Sequence, residues 1–307
     1  MHDFEYVSCG SLAETVDFLA TYEGTARVLA GGTNLVPQLR WRETKPGCAE
    51  KRETRPDVLV SLKRLKELEG LSDAGDHWRI GSVTSLRMLA QGDVGEIIPL
   101  LRAVAGGMAS PEVRNVATVG GNLCNGSPAA GLLGPVFALG GRVRLASASG
   151  ERVLEITEFY KGPHRTALRS EEVMTALLLS KERCSAVWGH AAYATRPTMG
   201  MALASASVVA APEAPGRTRP VRLALALASG RPVVLDLDLP ADLADAQDLV
   251  AAGLEPVLRM QAPKIAACHY AKENPQVPLW YLERRAVLAC RDALEQAWRS
   301  AGTGRGA

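Results

Sequence analysis

Two glycine-rich stretches, far apart in the chain, constrain most tightly what it can fold into. The first runs Val28-Leu29-Ala30-Gly31-Gly32-Thr33-Asn34-Leu35. The second runs Ala117-Thr118-Val119-Gly120-Gly121-Asn122-Leu123-Cys124-Asn125-Gly126-Ser127-Pro128. In each, paired glycines are followed at once by a small polar residue. A backbone without Cβ atoms and with free choice of φ can close on a diphosphate and aim its N–H groups at the anionic oxygens. Gly-Gly pairs also punctuate ordinary turns, where Thr, Asn and Ser bond locally. With 29 glycines in the chain, either stretch alone reads as a turn. The same Gly-Gly-polar order met twice favours two loops gripping one diphosphate from two sides. Neither stretch has the spacing of the Rossmann fingerprint or the lysine of the P-loop.

The rest of the composition narrows the class. At 307 residues the chain is long enough for two or three domains with a real core. Apolar residues make up 47% and charged ones 22%, the balance of an ordinary soluble globular protein. A net charge of +2 gives no electrostatic case for nucleic acid or an anionic membrane. No apolar run approaches membrane length, so an integral membrane protein is not expected. The acidic start, Met1-His2-Asp3-Phe4-Glu5, lacks the basic and apolar regions of a signal peptide, and a cytoplasmic location is expected. The six cysteines, at 9, 48, 124, 184, 268 and 290, form no C-x-x-C pair, and no histidine stands at zinc-ligand spacing from one. They read as small buried hydrophobes, and no metal site follows from them or from the dispersed histidines.

Periodicity places the two stretches among α and β elements without strict βαβ repetition. Ser11-Leu12-Ala13-Glu14 predicts a capped helix with Leu12, Val16 and Leu19 on one face. Strands are expected at 26–30, 57–61, 78–82, 142–146, 153–156 and 173–179. Helices are expected from Leu35, after a Thr84 cap, over 97–105 and over 129–139. The last of these starts right after the second glycine stretch, where its N–H groups can face an anion. Residues 42–56 read as an exposed loop. Beyond Glu182 the strands at 203–211 and 221–228 suggest a hairpin, followed by helices at 241–251 and 279–299 and a frayed tail at 301–307. The domain boundaries read as 1–182, with lobes at 1–56 and 57–182, and 188–300.

The stretches Ala30-Gly31-Gly32-Thr33-Asn34-Leu35 and Val113-Arg114-Asn115-Val116-Ala117-Thr118-Val119-Gly120-Gly121-Asn122-Leu123 resemble the two flavin-binding motifs of the FAD (medium) subunit of molybdenum hydroxylases. That family includes the medium chain of aerobic carbon monoxide dehydrogenase and the flavin parts of xanthine dehydrogenase. The resemblance runs over nearly the whole chain. It implies an α+β fold: a two-lobed FAD-binding domain of the vanillyl-alcohol-oxidase type, then a smaller α/β C-terminal domain. It implies FAD, with Val28, Leu29, Ala30, Gly31, Gly32, Thr33, Asn34 and Leu35 on one side of the pyrophosphate and Thr118, Val119, Gly120, Gly121 and Asn122 on the other. Ser127 would add a hydrogen bond. Met174, within Glu172-Val173-Met174, would lie near the adenine or flavin, and Tyr193 against the isoalloxazine ring. Arg114 is a candidate phosphate contact or a surface ion-pair partner. The family reads Ser-Pro-x-x-Asp after its second motif; this chain has Ser127-Pro128-Ala129-Ala130-Gly131, with glycine in the acidic place. Asn34 stands where Asp is frequent. One branch of the family carries an iron–sulfur cluster on a cysteine-bearing insertion after this point. With Cys124 alone there, no cluster is expected in this chain.

The implied function is an electron-relay subunit with no catalytic residues of its own for the organic substrate. A large molybdopterin-binding subunit would oxidise the substrate, and a small subunit with two 2Fe–2S clusters would carry electrons. The FAD of this chain would pass them to a soluble acceptor such as NAD or a quinone, in a heterotrimer or its dimer. Two other readings stay open: a self-contained FAD-dependent oxidoreductase of the same fold, and a flavin-free scaffold subunit supported by Gly131.

Overall fold

The computed structural model describes residues 4–22, 24–44, 56–196, 200–211, 218–228, 230–240 and 279–303. A small parallel sheet forms the first lobe. Its strands β1 (Glu5–Val7), β2 (Ala26–Leu29) and β3 (Val58–Ser61) lie in the order β1-β3-β2. Helix α1 (Leu12–Thr21) connects β1 to β2. Ser11 Oγ accepts from the Glu14 amide at 3.2 Å, and the Glu14 carboxylate reaches back to the Gly10 amide at 2.7 Å. Caps of this kind stabilise a helix by about 1 kcal/mol. Val16 and Leu19 on its buried face pack with Val58 and Val60 of β3. The division read at residue 56 therefore does not hold: β3 is the central strand of the first lobe, pairing in parallel with both β1 and β2.

The second lobe is a five-stranded antiparallel sheet, ordered β4-β5-β10-β6-β7. Its strands are β4 (Leu71–Ala74), β5 (His77–Gly81), β6 (Arg142–Ser147), β7 (Gly150–Glu155) and β10 (Val173–Ser180). β10 is central and buried along nearly its whole length, its apolar run broken by Thr175, whose hydroxyl donates to the Arg144 carbonyl at 3.3 Å. Short helices cover one face: α3 (Leu86–Gln91), α4 (Asp93–Ile97), α5 (Pro99–Gly107), α6 (Pro111–Val116), α7 (Val119–Cys124) and α8 (Leu133–Ala138). They enclose a core that includes Leu89, Ile98, Leu101, Phe137 and Leu177. The expected helix over 97–105 is two helices, because Pro99 breaks the ladder at Ile98 and opens α5. Ser85 rather than Thr84 caps α3, its Oγ accepting from Met88. Thr84 instead accepts from the Gly70 amide at 2.8 Å. Helix α9 (Ile156–Phe159), the small hairpin of β8 (Tyr160–Gly162) and β9 (Arg165–Thr166), and α10 (Lys181–Cys184) complete the lobe.

The chain then forms a four-stranded antiparallel meander, β11 (Val187–Ala194), β12 (Ala202–Ala210), β13 (Thr218–Leu227) and β14 (Val233–Pro240), in that order. The long helix α11 (Leu279–Thr303) lies across β11 and β12. It buries Leu282, Ala286, Ala289, Ala293 and Leu294 on the sheet, the residues its periodicity selects. The contact is backbone to backbone at Gly189, where a Cβ would fall inside the Ala293 carbonyl group. The predicted helix at 241–251 and most of the loop at 42–56 lie outside the described residues, apart from the end of α2 (Leu35–Thr44) and Pro56.

Candidate functional site

A cleft of about 1260 Å³ runs between the two lobes and ends against the C-terminal sheet. It exceeds the roughly 300–1,000 Å³ of a drug-sized pocket and suits an extended ligand. Of the predicted site residues, Val28, Leu29, Ala30, Gly31, Gly32, Thr33, Asn34, Leu35, Thr118, Gly120, Gly121, Asn122, Ser127 and Met174 line it. Val119 does not. It is fully buried in the core of the second lobe, and its amide donates to the Thr84 carbonyl at 2.9 Å.

The first glycine stretch leaves β2 at Leu29, whose carbonyl accepts from Leu62 at 3.0 Å. Gly32 adopts a φ of 72°, which glycine reaches without strain. The chain then enters α2, its first turn closed by Val36 N–H to Gly32 O at 3.0 Å and Gln38 N–H to Asn34 O at 3.1 Å. Among the described residues, no carbonyl or side chain accepts from the amides of Gly31, Gly32, Thr33 or Asn34. These donors stand at the positive end of a ten-residue helix, an arrangement that favours an anion.

The second stretch works differently from the loop expected. It is the opening of a helix, α7, with Thr118 as cap. Gly120 N–H donates to Ser82 O at 2.7 Å and Asn122 N–H to Thr118 O at 2.9 Å. Gly121 N–H donates to Thr118 Oγ1 at 3.0 Å. These amides are spent internally, so this stretch supplies close approach rather than donors. A Cβ at Gly120 would lie 2.8 Å from the Ser82 Cβ. A Cβ at Gly31 would collide with the Val116 carbonyl and lie 3.0 Å from the Ala117 Cα, so the two stretches touch through bare backbone. Asn122 Oδ1 accepts from the Leu132 amide at 3.3 Å, which leaves its NH₂ group available. Ser127 Oγ accepts from Ala129 at 3.3 Å and keeps its own proton to donate. The helix expected to start just after this stretch begins only at Leu133. Residues 129–132 precede it as a turn, and no residue of α8 lines the cleft.

Several lining residues carried no signal in the sequence reading. Residues 164–172 fold over the cleft, held by His164 N–H to Gly126 O at 2.7 Å and by Glu172. The Glu172 carboxylate is 4% exposed and takes Arg152 in a forked pair at 2.6 and 2.8 Å, plus the Arg169 amide at 2.8 Å. Burial alone would push this carboxyl up. The Arg152 and Arg169 hydrogen bonds and charges outweigh it and hold the carboxyl below its ordinary value. The Met108 side chain fills the space over Gly131, where a Cβ would lie 2.7 Å from Met108 Sδ. Among the described residues, Arg114 neither lines the cleft nor forms a salt bridge. Its guanidinium donates to the carbonyls of Met108 and Ala109 at 2.8 and 2.9 Å, fixing the turn in which Ala109 has a φ of 48°. Cys124 packs its thiol on Met174 Sδ at 3.7 Å. Burial pushes that thiol up to about 12, so it stays protonated and is a poor metal ligand or nucleophile.

Tyr193 corrects the sequence reading. Successive residues of β11 point to opposite sides. His190, Ala192 and Ala194 line the cleft, while Ala191 and Tyr193 pack with the core under α11. The Tyr193 hydroxyl donates to Asp292 of that helix, and Arg285 lies 5.1 Å from the centre of its ring. His190 was missed. Its Nδ1 lies 2.9 Å from Ser207 Oγ, and its backbone N–H donates to Gln296 at 2.8 Å. Burial pushes its imidazole down to about 4. The stretch Trp188-Gly189-His190-Ala191-Ala192-Tyr193-Ala194 has no small–polar alternation, so the sequence carried no signal that sets His190 on the cleft side.

A two-lobed α+β chain with a glycine-bordered cleft between its lobes defines a class of cofactor-binding domains. The comparisons with known proteins agree. Residues 2–179 match the family described as the FAD binding domain in molybdopterin dehydrogenase, and the chain belongs to that family. It is similar to the nicotine 6-hydroxylase medium subunit of Paenarthrobacter nicotinovorans, 29% identical over 227 residues, 74% of this chain and 75% of that one. It is 33% identical to the xanthine dehydrogenase FAD-binding subunit of Escherichia coli O157:H7 over 179 residues, 57% of this chain and 58% of that relative's length. Its fold overlays on carbon monoxide dehydrogenase from Hydrogenophaga pseudoflava with a TM-score of 0.76 and 26% identity, covering 97% of this chain and 98% of that one. The family is one of molybdopterin dehydrogenases, and the chain is an oxidoreductase component of that kind. Among the described residues, no helix is long and apolar enough to cross a membrane.

Proposed function

We propose that this chain binds FAD along the cleft and serves as the electron-transfer subunit of a heteromeric molybdenum hydroxylase-type dehydrogenase. The observation that carries the reading lies in the first glycine stretch: among the described residues its amides at 31–34 are uncommitted, and Gly31 rests on the backbone of Val116 and Ala117, so closely that a Cβ would not fit. That cradle fits a diphosphate in both charge and space. FAD, when bound, supplies the redox chemistry through its isoalloxazine ring. The chain's own residues hold and orient it. The amides of Gly31, Gly32, Thr33 and Asn34 take the phosphate oxygens, and the α2 N-terminus offsets their charge. The Asn122 NH₂ and the Ser127 hydroxyl add donors from the other side. Residues 164–172, pinned by Glu172, shield one end from water. Among the described lining residues Glu172 is the one carboxylate and is committed to Arg152, and the Ser207 hydroxyl that pairs with His190 is fully buried, which suits a relay.

By analogy with the relatives named as medium and FAD-binding subunits, the partners are a large molybdopterin-binding subunit and a small iron–sulfur subunit that delivers electrons. The acceptor is a soluble one, NAD or a quinone. Stopped-flow mixing of the dithionite-reduced complex with each acceptor tests the relay. Return of the flavin band near 450 nm at a rate that depends on acceptor concentration is expected. A flavin that stays reduced while the iron–sulfur bands reoxidise contradicts it.

A further inference from the structure

Where the cleft meets the C-terminal sheet its lining changes. Helix α5 contributes Ala103, Val104 and Gly107, and the sheet contributes Ala192 and Ala202. These residues are apolar and mostly small, so this end of the cleft offers apolar surface to a ring on both the helix and the sheet side. Two polar side chains of the sheet open onto it, His190 from β11 and Ser205 from β12, while Arg196 lies exposed at its mouth. Ala192 and Ser205 are paired across the strands, as are His190 and Ser207.

The hydrogen bonds fix which nitrogen of His190 carries the proton. Ser207 is 0% exposed, and His190 Nδ1, 2.9 Å away, is the partner its hydroxyl has among the described residues. If Nδ1 carried the proton, the buried Ser207 hydroxyl would be left with no acceptor, a loss of about 1–3 kcal/mol. Ser207 therefore donates to Nδ1, and the neutral imidazole carries its proton on Nε2. The strand cannot rotate away: Gly189 is pressed on Ala293 of α11, and Gln296 accepts the His190 amide. Nε2–H is thus a rigidly held donor.

Resting on the flavin reading above, we propose that His190 and Ser205 are the donors that grip the polar edge of the isoalloxazine ring, with Ser207 as the positioning residue that sets the His190 tautomer. A flavin ring has one apolar edge and one edge of carbonyl and nitrogen acceptors, and reduction places more negative charge on the latter. A fixed neutral donor there binds the reduced ring better than the oxidised one and raises its potential. The glycine cradle, by contrast, binds both forms equally and sets only occupancy.

The experiment is a reductive titration of the flavin in the purified complex against a reference dye, on wild type, His190→Ala, His190→Gln, Ser207→Ala and Ser205→Ala, with FAD per chain measured for each. Flavin content is expected to stay near one per chain throughout. In His190→Ala and Ser207→Ala the ratio of reduced to oxidised flavin at a fixed poise falls about tenfold, about 30 mV for a two-electron couple. His190→Gln, which keeps an N–H donor, recovers part of the loss. Ser205→Ala shifts the ratio the same way and leaves the His190 tautomer intact. Flavin bound at one per chain with an unchanged ratio in both His190→Ala and Ser207→Ala overturns the assignment and leaves the flavin reading standing. A wild-type complex without FAD on this chain overturns both.

Discussion

At the scale of single residues, two glycines do opposite work. Gly31 is required by contact: its missing Cβ is what lets the first stretch rest on the Val116 carbonyl. Gly31→Ala forces the two stretches apart, and we expect it to cost about 1–3 kcal/mol, the usual range for overpacking. Urea unfolding checks this, and a variant as stable as wild type would show that the loops do not need to touch. Gly131 is required by a neighbour, because the Met108 thioether occupies its Cβ space. Gly131→Asp, which restores the family's usual acid, is expected to destabilise the chain alone and much less in a Met108→Ala background. A double-mutant cycle should show a coupling above about 0.5 kcal/mol, and simple additivity of the two changes would refute the packing account. The glycine in the acidic place therefore reads as half of a compensated pair, which no inspection of Gly131 alone could reveal.

Elements explain both what was legible in the chain and what was not. Helix α1, strands β3 and β10 and helix α11 were readable because periodicity and caps act locally. The first glycine stretch was readable as a donor loop for the same reason. The second was misread because its fate depends on Thr84 and Ser82, which accept its amides from thirty-odd positions upstream. Tyr193 was misplaced by a single residue of strand parity, which decides whether a side chain meets the cleft or α11. Glu172 was named by resemblance, within Glu172-Val173-Met174, but the segment 164–171 before it was invisible because its shape depends on a long-range ion pair. Arg152→Met should leave the Glu172 carboxylate buried without its partner and cost about 3 kcal/mol. Adding Glu172→Gln should return much of that, since a neutral amide is cheaper to bury. Hydrogen exchange over 164–172 should rise in the single variant, and unchanged protection there would show that the ion pair does not hold this segment.

For the whole molecule, two buried groups among the described residues, His190 and Glu172, bear on the response to acid. His190 is held down to about 4 by burial, against about 6.5 in an unfolded chain. As pH falls the unfolded chain takes up this proton first. Stability that is full above about 6.5 is therefore lost progressively between there and about 4. Glu172 is held below the ordinary glutamate value of about 4.3; its contribution is present above that value and is lost as pH falls beneath it. Unfolding free energy measured from pH 8 to pH 4 should fall in the upper part of this range in wild type and stay flat there in His190→Gln. A decline of equal slope in both would assign the acid response to other groups.

The cleft draws residues from four sheets in distant parts of the chain, and the proposed function depends on its holding one extended flavin nucleotide. The most direct measurement is the visible spectrum of the wild-type chain purified with its partners, followed by acid release and chromatography of the cofactor, with Gly31→Ala in parallel. One FAD per chain in wild type, and its loss in a Gly31→Ala protein that remains folded, is the predicted result. A folded wild-type chain without FAD, or FAD retained in full by Gly31→Ala, would contradict the diphosphate cradle on which the proposed function stands.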